Sequence, residues 1–237
     1  MRRAGRVVAE MHEAIRLALK PGVSTAELDK IGREVLDNRG ATGNFLGYHG
    51  YPAVICASAN DVVVHGIPND VPLEEGDIVS IDCGAIVDGY HGDAAFTAGV
   101  GTIEPAAQRL IDVTHQALDA AIAAMGSHRA RMGDIGWAVQ SLAEGAGYGV
   151  VRDYVGHGIG TAMHEPPNVP NHGDPGKGRR IHVGDVFAIE PIVVDGDPET
   201  TIDADGWTVR TIDGTIAAHW EHTVALTDHG PEVLTIL

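Results

Sequence analysis

Ile78-Val-Ser-Ile-Asp-Cys-Gly-Ala-Ile-Val87 runs into Asp88-Gly89 and returns as Tyr90-His-Gly-Asp-Ala-Ala-Phe-Thr-Ala-Gly99. Both flanks are apolar and rich in strand formers, and Asp-Gly is among the strongest two-residue hairpin signals. Such a turn pairs Val87 with Tyr90 and sets Asp93 opposite Gly84. Side chains alternate along strands, so Asp82, Gly84 and Asp93 share one face. Asp82 and Asp93 become diagonal neighbours, with backbones about 7–8 Å apart. Unpaired carboxylates in apolar strands cost several kcal/mol each.

The same pattern occurs twice. Gly76-Asp-Ile-Val-Ser-Ile-Asp82 recurs as Gly184-Asp-Val-Phe-Ala-Ile-Glu190, and His65-Gly-Ile67 as His157-Gly-Ile159. His91-Gly-Asp93 recurs more loosely as His219-Trp-Glu221. The anchors keep their order, and each set follows helical segments, which predicts a duplicated half-domain, roughly 1–103 and 104–237, within one domain. Val8, Met11, Ile15 and Leu19 predict a helix over 4–19, stopped by Pro21-Gly22. Ser24-Thr-Ala-Glu27 is a capping box opening a second helix that ends near Gly40. Further helices are expected over 104–125, closed by Gly126, and over about 133–145. Strands are expected at 53–58, 78–87, 91–100, 150–155, 186–194, 207–212 and 217–226. The order reads as an α+β fold, an antiparallel sheet covered by helices.

Composition narrows the partners. Across 237 residues, 33 acidic against 16 basic side chains give a net charge of -17. That balance argues against nucleic acid and anionic membranes, both of which need Lys and Arg. Two cysteines, Cys56 and Cys83, are too few for a disulfide framework and suit a reducing compartment. Glu10, His12 and Glu13 interrupt any signal-peptide run, and no stretch approaches 18 apolar residues, so a cytoplasmic location is expected.

The duplication delivers acids in pairs, Asp82 with Glu190 and Asp93 with Glu221. A single strand Asp is ordinarily exposed or salt-bridged. Four acids at repeated positions with few cations nearby would instead repel one another and raise their pKa values. A bound cation removes the conflict, and oxygen donors favour Mn²⁺, Co²⁺ or Fe²⁺ over a thiolate zinc site. Four carboxylates suffice to bridge two metals at about 3.5–4 Å. His157, in Tyr154-Val-Gly-His-Gly-Ile-Gly160, fits a ligand or a turn histidine equally well on local sequence. His164 lies in Met163-His-Glu165, which is no zincin helix. His65 is the repeat counterpart of His157. His49, His91, His219 and His222 flank the acids as donors to the ligands. His12, His115, His128, His172, His182 and His229 read as solvated or capping residues, and Cys83 as core packing.

Leu46-Gly-Tyr-His-Gly-Tyr-Pro52, Asn60-Asp-Val-Val-Val-His-Gly-Ile-Pro68, Ser80-Ile-Asp82, His91-Gly-Asp93, Gly156-His-Gly-Ile-Gly160, Ala188-Ile-Glu-Pro191 and Trp220-Glu-His-Thr223 together resemble the type I methionine aminopeptidases. The resemblance spans nearly the whole chain. It implies the pita-bread fold, with two pseudo-twofold lobes around a dinuclear site. It also implies five metal ligands: Asp93 and Glu221 bridging two divalent ions (cobalt, manganese or iron), Asp82 on one, and His157 with Glu190 on the other. His65 and His164 match the family's catalytic histidines, and Glu190 its proton relay. Phe45, Tyr48, Tyr51, Cys56, Met163 and Trp207 would line the pocket for the methionine side chain. The implied reaction removes the initiator methionine from peptides and nascent chains before a small second residue, by attack of a hydroxide shared between the metals. The implied partners are those chains, with transient proximity to the ribosome, and the implied state is a monomer. Phe45, Met163 and Gly84 depart from residues common in bacterial members, where Cys, Phe and Thr are frequent. The rivals are a proline-specific aminopeptidase of the same fold, which usually carries an extra N-terminal domain, and a non-catalytic pita-bread binding protein, which loses ligands.

Overall fold

The computed structural model describes residues 1–237. Four helices, α1 (Arg2–Ala18), α2 (Thr25–Arg39), α3 (Pro105–Met125) and α4 (Met132–Gly145), fall in two pairs, each preceding strands. The first half contributes β1 (Thr42–Gly43), β2 (Ile55–Ala59), β3 (Val62–Val64), β4 (Ile78–Val87) and β5 (Tyr90–Gly99). The second contributes β6 (Gly149–Val150), β7 (Gly156–Gly158), β8 (Glu165–Val169), β9 (Val186–Ile189), β10 (Ile192–Val194), β11 (Thr200–Ile202), β12 (Val209–Thr211), β13 (Ala217–His219), β14 (His222–Thr227) and β15 (Gly230–Val233).

Local chemistry explains the boundaries. Ser24 accepts from the Glu27 amide while Glu27 reaches back to the Ser24 amide, so the capping box opens α2, and Gly40 closes it at φ 60°. Asp88 and Gly89 take positive φ values of 52° and 78°, the backbone a tight hairpin requires. The β4–β5 register is the expected one: Val87 faces Tyr90, and Gly84 faces Asp93.

The sheet differs from one continuous surface. Its strands form four antiparallel ladders: β1, β2 and β5 around β4; β13-β10-β6; β11-β12-β3; and β15-β14-β9-β7-β8. The strand expected over 186–194 breaks at Glu190-Pro191, and that over 217–226 breaks at Trp220-Glu221. Pro191 has no N–H to donate, and the Glu221 amide and carbonyl pair with Ala95 of β5 instead. The strand expected over 150–155 shrinks to Gly149–Val150, because the chain then turns towards His157.

Each helix pair covers its own ladder. Val8, Met11 and Ile15 of α1 and Leu28 and Leu36 of α2 bury against Ile81, Cys83, Ala94 and Phe96. Leu110, Leu118 and Met125 of α3 and Ile135 and Val139 of α4 bury against Phe187, Ile189 and Val224. The helices leave free the opposite faces of the strands, where the acids lie.

A seam joins the halves along β5. Thr223 donates its hydroxyl to the Asp93 carbonyl (2.8 Å) and accepts from the Asp93 amide (3.0 Å). Ala95 and Glu221 exchange amide–carbonyl bonds at 2.9 and 3.3 Å. Thr97 donates to the His219 carbonyl and accepts from its amide, both at 2.9 Å. Three consecutive same-face positions of the first half are thereby fastened to the second.

Candidate active site

Five strand or strand-end residues converge. Asp82 and Asp93 come from β4 and β5, His157 from β7, Glu190 from the break after β9, and Glu221 from the break before β14. Ligand atoms of Asp93, His157 and Glu221 lie within 4.8 Å of one another, and all three residues are buried. His157 Nε2 is 3.9 Å from Glu190 Oε1. With its Nδ1 proton donated to the Gly158 carbonyl at 2.9 Å, Nε2 carries a free lone pair into the cluster. Asp82 completes the group as the diagonal neighbour of Asp93.

The electrostatics are those of anions gathered without cations. Burial pushes the Asp82 carboxyl up to about 7. Burial and the Asp82 charge push Glu190 up to about 8. Asp93 and Glu221 are driven well above the carboxylate range by burial first and neighbouring acids second. Burial and then His164 lower His157 to about 4, so its imidazole is neutral. Asp82 Oδ1 and Asp93 Oδ1 are buried and have no hydrogen-bond partner. Orphaned carboxylate oxygens, mutual repulsion and a neutral imidazole nitrogen are the donor set a divalent cation satisfies.

A cavity of about 160 Å³ opens beside the cluster. Its walls hold all the expected residues: the five above, His65 and His164, and Phe45, Tyr48, Tyr51, Cys56, Met163 and Trp207. Phe45, Tyr51, Cys56 and Met163 form an apolar cluster with Trp207 against it. Tyr51 ties its hydroxyl to the Ile55 and Gly66 carbonyls, at 3.1 and 2.9 Å, and turns its ring to Trp207. His65 has φ 59° and packs between Tyr154 and Trp207; burial and the nearby His164 lower it to about 4. His164, on the exposed rim, pairs its Nδ1 with the Tyr48 hydroxyl at 2.8 Å.

Among the flanking histidines, His219 Nε2 lies 3.7 Å from Glu190 Oε2, too far for a hydrogen bond, and has no other partner. His222 points away from the site, its Nδ1 2.8 Å from the Thr235 hydroxyl. His12 is not solvated: it is buried, with Nε2 2.9 Å from the Ala94 carbonyl. His115 stacks on Trp220. The seam hydroxyls Thr97 and Thr223 and the amide of Asn44 were not expected. Thr223 is visible only as the last residue of Trp220-Glu-His-Thr223, and Asn44 has no sequence signal.

Residues 1–228 match the model of metallopeptidase family M24. Methionine aminopeptidase 1 of Mycobacterium tuberculosis (strain CDC 1551 / Oshkosh) is 51% identical, over 100% of this chain and 91% of the relative. Methionine aminopeptidase 1 of Bacillus subtilis (strain 168) is 45% identical, over 99% and 94%. The crystal structure of methionine aminopeptidase from Rickettsia prowazekii superposes with a TM-score of 0.97 at 42% identity, covering 100% of this chain and 95% of that one. Prolidase from Pyrococcus furiosus shares the fold at a TM-score of 0.80 and 20% identity, and this chain covers 63% of it.

Proposed function

Because the chain belongs to metallopeptidase family M24 and, within it, to the methionine aminopeptidases, we propose that it removes the N-terminal methionine from peptides and nascent proteins, acting before a small second residue. One observation carries the reading: five potential ligands, four of them carboxylates, line one end of a cavity whose other walls are apolar apart from His65 and His164. We assign Asp82, Asp93, His157, Glu190 and Glu221 as ligands of two divalent ions, cobalt, manganese or iron. When bound, such ions supply Lewis acidity and an activated water near neutral pH.

The chain's own residues do the rest. Phe45, Tyr51, Cys56, Met163 and Trp207 give a flexible, unbranched thioether side chain an apolar, polarisable surround. Tyr48 forms the outer wall at the cavity mouth. His164, its Nδ1 engaged by the Tyr48 hydroxyl, directs Nε2 at the scissile carbonyl and donates to the developing oxyanion. His65, held neutral by burial, contacts the peptide nitrogen on the leaving side. Glu190 moves a proton from water to the departing amine.

No helix is long and apolar enough to cross a membrane. We further propose a cytoplasmic monomer, built as one catalytic domain, that meets nascent chains near the ribosome; the charge of -17 argues against nucleic acid as a partner, and the two buried free cysteines suit a reducing compartment. Purified protein with Mn²⁺ or Co²⁺ should release methionine from Met-Gly and Met-Ala peptides and leave Xaa-Pro substrates intact. No release across a metal screen sinks the reading.

A further inference from the structure

Gly84 stands opposite Asp93 in the β4–β5 ladder, on the face it shares with Asp82. A Cβ at that position would lie 2.4 Å from Asn44 Nδ2, 2.6 Å from Asn44 Cγ and 2.7 Å from Asn44 Cβ. The Asn44 amide therefore fills the space towards which residue 84 would point, on the ligand face of the hairpin. Asn44 follows β1, and its amide N–H reaches the Gly84 carbonyl at 3.3 Å, so backbone as well as side chain sits over that glycine.

The side chain is only 5% exposed. Its Nδ2 donates to the Gly92 carbonyl at 3.0 Å, which identifies the two ends of the amide and anchors the backbone next to Asp93. Its Oδ1 has no partner, a condition shared with Asp82 Oδ1 and Asp93 Oδ1. A cation answers the two carboxylates. The neutral amide oxygen lacks a hydrogen-bond donor, and a water carried by a divalent ion is one.

We propose that Asn44 is a positioning residue for the ion held by Asp82 and Asp93, its Oδ1 accepting a hydrogen bond from that ion's water in a space that Gly84 leaves open. The proposal rests on the metallo-aminopeptidase reading above. It makes Asn44 and Gly84 a coupled pair, because the Asn44 side chain occupies the space that any side chain at 84 would need.

The test is calorimetric titration of Mn²⁺ into the chelator-treated full chain, with melting temperatures of the metal-free variants alongside. If the wild type binds no Mn²⁺, the metallo-aminopeptidase reading fails, whatever Asn44 does. If it binds, Asn44→Ala should weaken Mn²⁺ binding about tenfold, the loss typical of removing a partner outside the ligand set. Gly84→Thr alone, which drives a Cβ into Asn44, should also weaken it. Asn44→Leu, which fills the same space without the amide oxygen, should weaken it as far as Asn44→Ala. Full affinity in Asn44→Ala or Asn44→Leu, or affinity lost only in a variant whose metal-free melting temperature also falls, would overturn the proposal. Should Asn44→Ala fail to fold, Asn44→Leu decides: its Mn²⁺ affinity should fall about as far, and affinity equal to the wild type's would overturn the proposal.

Discussion

The first-half hairpin is β4, a two-residue turn and β5, an unbroken ladder in which Asp82 and Asp93 are diagonal neighbours. Its second-half counterpart pairs β9 and β10 with β14 and β13, and the register resumes unchanged beyond the break, so Glu190 stands directly opposite Glu221. Here the turn has become an excursion over 195–216 that carries β11 and β12 and pairs with β3 of the first half. The duplicated pattern supplies an acid at each anchor, but the seam places them. The tight hairpin is self-sufficient. The open one gives up its ladder at Glu221 so that the backbone there can pair with Ala95, bringing the Glu221 carboxylate against Asp93.

Asp93 lies on the seam and in the ligand cluster at once, so its loss should produce the largest effect. Asp93→Ala is expected to abolish methionine release and lower the metal content per chain. Retained full activity would remove Asp93 from the proposed ligand set.

Metal removal should separate the acids from the histidines by pH. A folded carboxyl raised above its unfolded value costs stability as pH climbs from that value through the folded one. Asp82 rises from 3.8 to about 7 and Glu190 from 4.5 to about 8. Buried histidines act in the opposite sense lower down: His12 and His219 fall from 6.5 to about 3, and His65, His157 and His222 to about 4. Their contribution is lost as pH falls below 6.5. The two trends oppose each other below pH 6.5, and above it the acids act alone. The chelated protein should therefore lose stability between about pH 6.5 and 8, by on the order of several kcal/mol, while the metal-loaded protein stays flat. A level melting temperature in chelated protein across that window counts against the carboxylate cluster.

Thr223→Val tests the seam itself. The residue is fully buried, and valine removes the hydroxyl that serves both backbone groups of Asp93. Two buried groups left without partners should cost roughly 2–4 kcal/mol, read as a lower urea midpoint. Thr223→Ser, which keeps the hydroxyl, should recover most of it. Equal loss in both variants would mean that the methyl group rather than the hydroxyl holds the halves together.

The contrast between hairpins also separates what was legible in the sequence from what was not. β4 and β5 could be read to the residue because an Asp-Gly turn, strict alternation and apolar composition all act locally. The candidate site was legible as a set, because its residues fall in motifs repeated or shared with a recognisable family. The break at Trp220-Glu221 was not, since it follows from pairing across the seam with a strand more than a hundred residues away, whereas that at Glu190-Pro191 goes with a proline that has no N–H to donate. His12 looked solvated because its partner, the Ala94 carbonyl, is remote in sequence. Asn44 gave no signal because a two-residue strand has no period.

The smallest effect belongs to the excursion. Arg210 on β12 reaches Asp61 of the first half through Nη1 and Asp203 through Nε, both at 2.8 Å, with its side chain 37% exposed. Half-exposed ion pairs contribute at most about 1 kcal/mol, so Arg210→Ala should lower the melting temperature by only about 2–4 °C in a chain of this size. Its functional reading is sharper, because this arm carries Trp207, whose ring closes the apolar wall beside Tyr51 and His65. Loosening the arm should blur the methionine pocket without touching the acids, so KM for a Met-Ala peptide should rise a few-fold while kcat holds. An unchanged KM would mean that pairing of β12 with β3 alone seats Trp207. The open hairpin would then hold its pocket wall as the closed one holds its acids, by backbone pairing.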